Sequence, residues 1–448
     1  MIKKLPLRLK LLFSTGDLST SIPLAILMFY QLYFMTDVAG LRPDYAGLAV
    51  GLGKIWDAIN DPLIGLISDR IRTRWGRRRG LLLFFAVPLG LTFILMWLVP
   101  PLGTLGLTAY YTVTFILFDT FFTIIHVSYN SLTPEMTDDY DERSTLNGYR
   151  MVFSIAGTIG TIILATVLGW YVTDKRILFL ILGIGLGLVS IIPPLVVFRV
   201  TRDKDSAEQP EPMSMWKALR TTLRNRPFWS IMGLYLLSWS AASILSTVLI
   251  YYANYYLRVP EQANYFILGA EFAAIVFIPL VVWLSRKLDK RRAFIFGSVT
   301  WAVILIGLSA LRSDQLILAY VLAMLSGFGI ATAYVVPWAM VPDIIEFDQA
   351  DTGERREGSY YAFASFFQKM ATGIAIWGMG AALAATGYIN PTQGEALPVQ
   401  PEAAVNAIRI FMGPIPAVLL ILAIIFAWRY NITRESHHEM VEKLKNRE

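Results

Sequence analysis

Long apolar runs dominate this chain, and their length admits few folds. They lie near 11–37, 44–69, 80–99, 105–132, 146–170 and 176–198, and again near 228–256, 261–285, 292–311, 315–340, 358–386 and 404–428. A helix needs about 20 apolar residues to cross the hydrocarbon core of a bilayer. Inside lipid every backbone N–H and C=O must be bonded within the protein, which a helix achieves segment by segment. Of the 448 residues 55% are hydrophobic and 16% charged, whereas in soluble domains about a quarter are charged. The expectation is an all-α polytopic membrane protein with twelve transmembrane helices in two six-helix halves. No room remains for a sizeable soluble domain.

The boundaries follow from composition: an N-terminal half over 1–198, a linker over 199–227, a C-terminal half over 228–430 and a tail over 431–448. The linker, VTRDKDSAEQPEPMSMWKALRTTLRNRP, is the one polar, proline-containing stretch of its length. It reads as extended chain followed by a short basic amphipathic helix near Met213 to Arg224. The start, MIKKLPLRLK and an apolar run, superficially resembles a signal peptide. Its apolar stretch is too long and is interrupted by Gly16 and Asp17, so it reads as a retained first span.

Lys and Arg set the orientation. With the N-terminus in the cytoplasm, that side receives Lys3, Lys4, Arg8, Lys10, the six arginines from Arg70 to Arg79, the basic linker, Arg286 to Arg292 and the basic tail. The other side receives Arg42, Lys175, Arg176, Arg258 and Arg312. Cytoplasmic loops carry the excess of positive charge, so both termini are expected in the cytoplasm. The same asymmetry explains a pI near 9.2 without a nucleic-acid partner. The glycosylation triplet at Asn431 would then face the cytoplasm.

The chain has no cysteine and three histidines, which excludes disulfides, iron–sulfur clusters and thiolate metal sites. No organic cofactor is expected. Nor is an enzyme: His126 has Asp119 nearby in sequence but no evident nucleophile.

Function should therefore reside in polar groups within spans, where a charge at the bilayer centre costs at least about 2.5 kcal/mol. In KIWDAINDPLIG, Asp57 and Asp61 are four residues apart on one helical face, with Lys54 on the same stripe. One reading is a packing salt bridge from Lys54 to Asp57. The other is a cation site, because two carboxylates one turn apart do not both ionise comfortably at low dielectric without a proton or metal ion between them. Hard oxygen ligands suit Na+ or Li+ as well as H+, and Asn60 could add another oxygen. Gly65, Asp69, Arg70, Gly76 and Arg77, Arg78 and Arg79 resemble the loop between spans two and three of the major facilitator superfamily, which implies a charged latch at a cytoplasmic gate; the other reading is that these arginines only set topology. Further candidates are Asp17, Asp119, His126 with Asn130 one turn on, Arg150, Glu271, Lys369 and Arg409. Lys369 sits among apolar and small residues and is expected to face a cavity or a carboxylate, with Asp57 or Asp61 as the hypothesised partner. Among the aromatics, which include Trp56, Trp239, Tyr334 and Trp338, a minority facing a cavity could stack on a sugar ring.

Two echoes mark an internal repeat. SDRIRTRWGRRRG after the second span returns as LSRKLDKRRAF after the eighth, and YNSLTPEMTDDYDERSTLNGY after the fourth returns as PWAMVPDIIEFDQADTGERREGSYY after the tenth. Related six-span halves are the signature of the major facilitator fold.

Several stretches, GDLSTSIPLAILMFYQLYFMTDVAGL, KIWDAINDPLIG followed by TRWGRRR, TIIHVSYNSLTPEMT with DERSTLNGYR, and PDIIEF with SYYAFASFFQKM, resemble the glycoside-pentoside-hexuronide:cation symporters of the major facilitator superfamily. The likeness runs from the first span to the eleventh. It implies cation-coupled symport by alternating access, in a monomer. It also implies that Asp57 and Asp61 hold the coupling cation with Asn60 and Thr123, as a metal site if the ion is Na+. Lys369 would lie near that site, joining Lys54 and Asp119 in a charge network, and substrate contacts would map onto Asp17, His126, Arg150 and Tyr334. Melibiose permease, the family's best-known member, has an acid at His126, a tryptophan at Asn130 and a lysine at Gly16. The replaced acid argues against melibiose itself. The H-V-x-Y-x-x-L pattern also resembles the animal sodium-dependent lysolipid transporters, although the short loops suit a bacterial inner-membrane protein.

Reporter fusions check the topology. Green fluorescent protein should fluoresce at either terminus, and alkaline phosphatase should be active after Arg312 and silent at both ends.

Overall fold

The computed structural model describes residues 5–70, 73–76, 78–137, 139–201, 226–352, 357–392 and 394–430. The expected linker helix, Arg77 and the tail with Asn431 lie outside the described residues, as do the side chains of Asp69 and Arg70.

The first span is interrupted where its sequence turns polar. Helix α1 (Leu7–Ser14) tightens into a 3₁₀ turn at Thr15–Asp17 and continues as α2 (Leu18–Tyr33). Gly16 fits this turn because a side chain there would enter the ring of Tyr129. The helices that follow are α3 (Pro43–Arg70), α4 (Arg79–Leu95), α5 (Thr104–Met136), α6 (Tyr140–Tyr171) and α7 (Lys175–Val200). Carboxylates start two of them: Asp139 accepts from Glu142 N at α6, and Asp174 accepts from Arg176 N and Ile177 N at α7. Each bond satisfies amides that have no intrahelical acceptor.

After these come α8 (Arg226–Tyr251), α9 (Ala263–Leu288), α10 (Lys290–Ala310), α11 (Leu316–Thr352), α12 (Glu357–Ala385), α13 (Glu402–Met412) and α14 (Pro414–Arg429). The last apolar segment of the sequence is thus two helices, parted at Gly413, where a Cβ would press on the Leu305 carbonyl. Arg409 is held by backbone and ring contacts. Its guanidinium donates to Ser309 O at 3.0 and 2.9 Å and lies over the Tyr256 ring, so it satisfies a carbonyl at the end of α10.

Among the described residues nine helical segments are long and apolar enough to cross a membrane. The chain forms two compact units, one of residues 1–208 with 380–399 and one of 209–379 with 400–448. Segment 380–399 starts in the last turns of α12 and runs past its end, yet it packs within the first unit. There Tyr388 OH donates to Asp37 at 2.7 Å, and the Asn390 amide donates to Thr36 O and Leu41 O.

The units share a device that the echoes in the sequence did not reveal. Phe34–Val38 and Tyr252–Tyr256 each widen into a π turn. Ala39 N bonds Phe34 O and Leu257 N bonds Tyr252 O, while Leu41 N bonds Met35 O and Val259 N bonds Ala253 O. The residue between takes a positive φ in both, 72° at Gly40 and 58° at Arg258. Pro43 and Pro260 then open the next helical segments. The two echoed motifs also meet within the second unit: Lys290 at the head of α10 bonds both oxygens of Asp343 at 2.7 and 2.8 Å, and Tyr430 OH donates to the same carboxylate.

A left-handed backbone costs an L-residue with a side chain about 1–2 kcal/mol and costs glycine little. Gly40 has nothing within reach of an added Cβ, so the effect there is conformational. Arg258→Gly should raise the thermal midpoint of the detergent-solubilised protein, and Gly40→Ala should lower it.

Candidate functional site

Helix α5 carries two polar clusters, one on each stretch of its length, and both lie in the first unit. Toward α3 it presents Asp119, Thr120 and Thr123. Asp57 is only 4% exposed, Asn60 2%, Asp119 3% and Thr123 1%. Lys54 Nζ sits 3.0 Å from Asp57 Oδ2, so the packing salt bridge of the first reading is present. Thr123 Oγ1 donates to Asp61 Oδ1 at 3.2 Å. The Asn60 amide donates to the Asp119 carboxylate and carbonyl, both at 3.2 Å, and Trp56 Nε1 donates to Thr120 Oγ1. The face holds carboxylate, hydroxyl and amide groups and no soft ligand. Among the described residues no three His, Cys, Asp or Glu side chains gather as a multidentate metal centre. Such a set suits a proton or a hard monovalent ion better than a transition metal.

The second cluster is built around Arg150 of α6. Its guanidinium grips Asp17 through two bonds, Nε to Oδ2 at 2.8 Å and Nη2 to Oδ1 at 3.1 Å. It also donates to Asn130 Oδ1 at 2.6 Å and Thr133 Oγ1 at 2.7 Å. Tyr129 OH donates to Asp17 Oδ2 at 2.7 Å, and its ring lies under the guanidinium at 4.4 Å. Asn130 Nδ2 contacts His126 Nε2 at 2.9 Å, and the imidazole stacks on Phe122. A forked arginine on a carboxylate is geometrically specific and strong. Here it joins the 3₁₀ turn of the first span to α5 and α6.

Asp119 and His126, seven residues apart on α5, meet different neighbours: Asp119 accepts from Asn60, and His126 joins the arginine cluster. Asp17, Arg150, Asn130 and His126 form one chain of contacts. Tyr129 and Thr133 were missed, although they stand three and seven residues after His126, on the stripe that Asn130 already marked. Of the latch, Arg78 donates to Ser131 O at 2.7 Å and Arg79 to Phe198 O.

Tyr334 and Lys369 belong to the second unit, on α11 and α12. The Tyr334 ring lies 4.8 Å from that of Trp239, tilted by 33°. Trp338 stacks on Tyr361, and Tyr235 OH donates to Gln368 at 2.6 Å.

A helical membrane protein with buried ionisable clusters inside its spans has the makings of a carrier rather than an enzyme. The chain belongs to the MFS/sugar transport protein family, whose model matches residues 12–434, and it is an integral membrane transporter. An uncharacterized symporter of Synechocystis is 32% identical, covering 100% of this chain and 98% of that one. The sodium-dependent lysophosphatidylcholine symporter 1-A of Danio rerio is 26% identical over 95% of this chain and 86% of its own. The putative glycoside/cation symporter YagG of Escherichia coli is 26% identical over 96% and 93%. The crystal structure of a D-xylose–proton symporter shares the fold, with a TM-score of 0.67 at 14% identity over 94% of this chain and 97% of that one.

Asp17 and Arg150 are 14% and 15% exposed, and removing one partner of a buried pair costs about 3–5 kcal/mol. Asp17→Asn should lower the thermal midpoint strongly. Asp17→Asn with Arg150→Gln should recover part of the loss, since no lone charge remains.

Proposed function

We propose that this chain is a secondary active transporter that couples inward movement of a cation, Na+, H+ or Li+, to symport of a sugar, glycoside or hexuronide by alternating access. The observation that carries this reading is the buried face of α3, where Lys54, Asp57 and Asp61 share one stripe and Thr123 reaches Asp61. Its three formal charges, one positive and two negative, become neutral with one monovalent cation. Charge inside a low-dielectric protein is costly, so cation occupancy would lower the barrier to closing a dehydrated core around substrate. Cation and substrate then favour each other's binding reciprocally.

The nine apolar segments, with α4 and the more polar α3 and α12, make up twelve spans, both termini being cytoplasmic. A monomer in a bacterial inner membrane fits this architecture. Substrate contacts fall to Asp17, His126, Arg150 and Tyr334, while Asp119 and Lys369 join Lys54 in adjusting charge around the cation. Asp69, Arg70, Arg77 and Arg78 are assigned the role of a cytoplasmic latch from the sequence alone. The family description and the likeness to a putative glycoside/cation symporter favour a sugar-class substrate. The similarity to a lysophosphatidylcholine symporter supports a second reading, sodium-coupled lysolipid transport.

Uptake into proteoliposomes under an imposed Na+ or proton gradient decides between the substrates, with labelled glycosides, uronides and lysolipids offered in parallel. Asp57→Ala and Asp61→Ala should each abolish accumulation against a gradient. Undiminished accumulation by both variants would overturn the coupling role.

A further inference from the structure

The second unit contains an acid that the transport scheme above does not use. Glu271 is the only charged residue of α9 before Arg286 in its last turns, in a segment apolar enough to span a membrane. It is half-buried, and among the described residues it makes no hydrogen bond or ion pair. A carboxyl group at membrane depth is costly to keep without a partner or ligand.

Its position has a counterpart in the first unit. Counted from the prolines that open the two segments, Pro43 and Pro260, Lys54 and Glu271 are both twelfth, and a second pair of prolines, Pro62 and Pro279, keeps the same register. In the first unit Lys54 meets Asp57. In the second the positions of Asp57 and Asp61 hold Ala274 and Ile278. The cation stripe is thus erased there while a single acid stands at the place of the lysine. On α11, Tyr334 occupies the position that His126 has on α5, counted back from Pro342 and Pro134. Tyr334 lies within electrostatic reach of Glu271 and packs its ring against Trp239 of α8 at 4.8 Å. All three side chains are partly exposed.

We propose that Glu271, Trp239 and Tyr334 form a substrate subsite of the second unit, in which the carboxylate accepts hydrogen bonds from hydroxyl groups of a neutral ring whose apolar face lies on the aromatic pair. An ionised carboxylate offers two acceptor oxygens and no donor, which matches adjacent hydroxyls and repels an anion. Aromatic rings supply a flat apolar surface that fixes the plane of the ligand. The subsite therefore selects neutral sugars or glycosides over uronides. It rests on the sugar reading given above.

The test is binding to the purified full-length protein, by calorimetry in detergent with Na+ present. The ligands are neutral nitrophenyl glycosides, the corresponding uronides, lysophosphatidylcholine and a quaternary ammonium compound. At least one neutral glycoside should bind the wild type more tightly than its uronide. Glu271→Gln should weaken that glycoside by about tenfold or more, the size expected for losing a hydrogen bond to a charged acceptor, and should narrow the preference over the uronide. The stabilisation by Na+ should stay unchanged in this variant. A second readout serves if that variant folds poorly: quenching of tryptophan fluorescence by the glycoside should disappear in Trp239→Phe. Equal glycoside binding by wild type and Glu271→Gln, or unaltered quenching in Trp239→Phe, overturns the subsite and leaves the sugar reading standing. A wild type that binds lysophosphatidylcholine and no glycoside overturns the sugar reading itself. Loss of only the quaternary ammonium ligand in Glu271→Gln makes the acid a cation site and also overturns the subsite.

Discussion

The cost of charge in a medium that cannot solvate it governs this molecule. A chain that is mostly apolar helix holds several of its buried ionisable groups in pairs with specific partners. Asp17 and Arg150 neutralise one another through two parallel bonds. Lys54 and Asp57 do so within one helix, and Lys290 and Asp343 repeat the solution at the head of α10. Remove that constraint and the breaks in the helices lose their meaning. The 3₁₀ turn at Thr15–Asp17 sets the carboxylate of Asp17 against Arg150 and Tyr129.

The two units use one scaffold for unequal chemistry. Both end their first span in a π turn followed by a positive φ and a proline, and the backbone bonds correspond residue for residue. Upon that common frame the first unit places two acids, a lysine and a forked arginine. The second places an aromatic group from α8 and α11 and a single acid on α9. A duplicated architecture relaxes the demand that every position serve packing. One copy can concentrate charge while the other presents flat apolar surface.

The sequence made the fold class legible because membrane spans announce themselves by length and hydropathy, quantities that need no tertiary contact. The acid pair was equally visible: a spacing of four on a helix fixes a shared face whatever packs against it. The division of α5 was not. Asp119 and His126 are seven residues apart and look coplanar on paper, yet the neighbour that each meets, Asn60 in one case and Asn130 beside Arg150 in the other, depends on how α3, α5 and α6 are arranged. Tyr129 and Thr133 escaped notice for the same reason. A tyrosine or threonine in a span is ordinary until a guanidinium is seen to lie against it.

By itself, then, the sequence determined a helical membrane protein, the positions of its apolar segments, the bias of its basic loops and the short stripe of Lys54, Asp57 and Asp61. All of these are local, set by composition or by the 3.6-residue turn of a single helix. The tertiary structure decided which charges are partnered and by whom. It also decided that Arg409 donates to the Ser309 carbonyl at the end of α10, that segment 380–399 packs with the first unit, and that Glu271 makes no hydrogen bond among the described residues. Those facts arise from contacts between residues far apart in the chain, and helical periodicity carries no information about them.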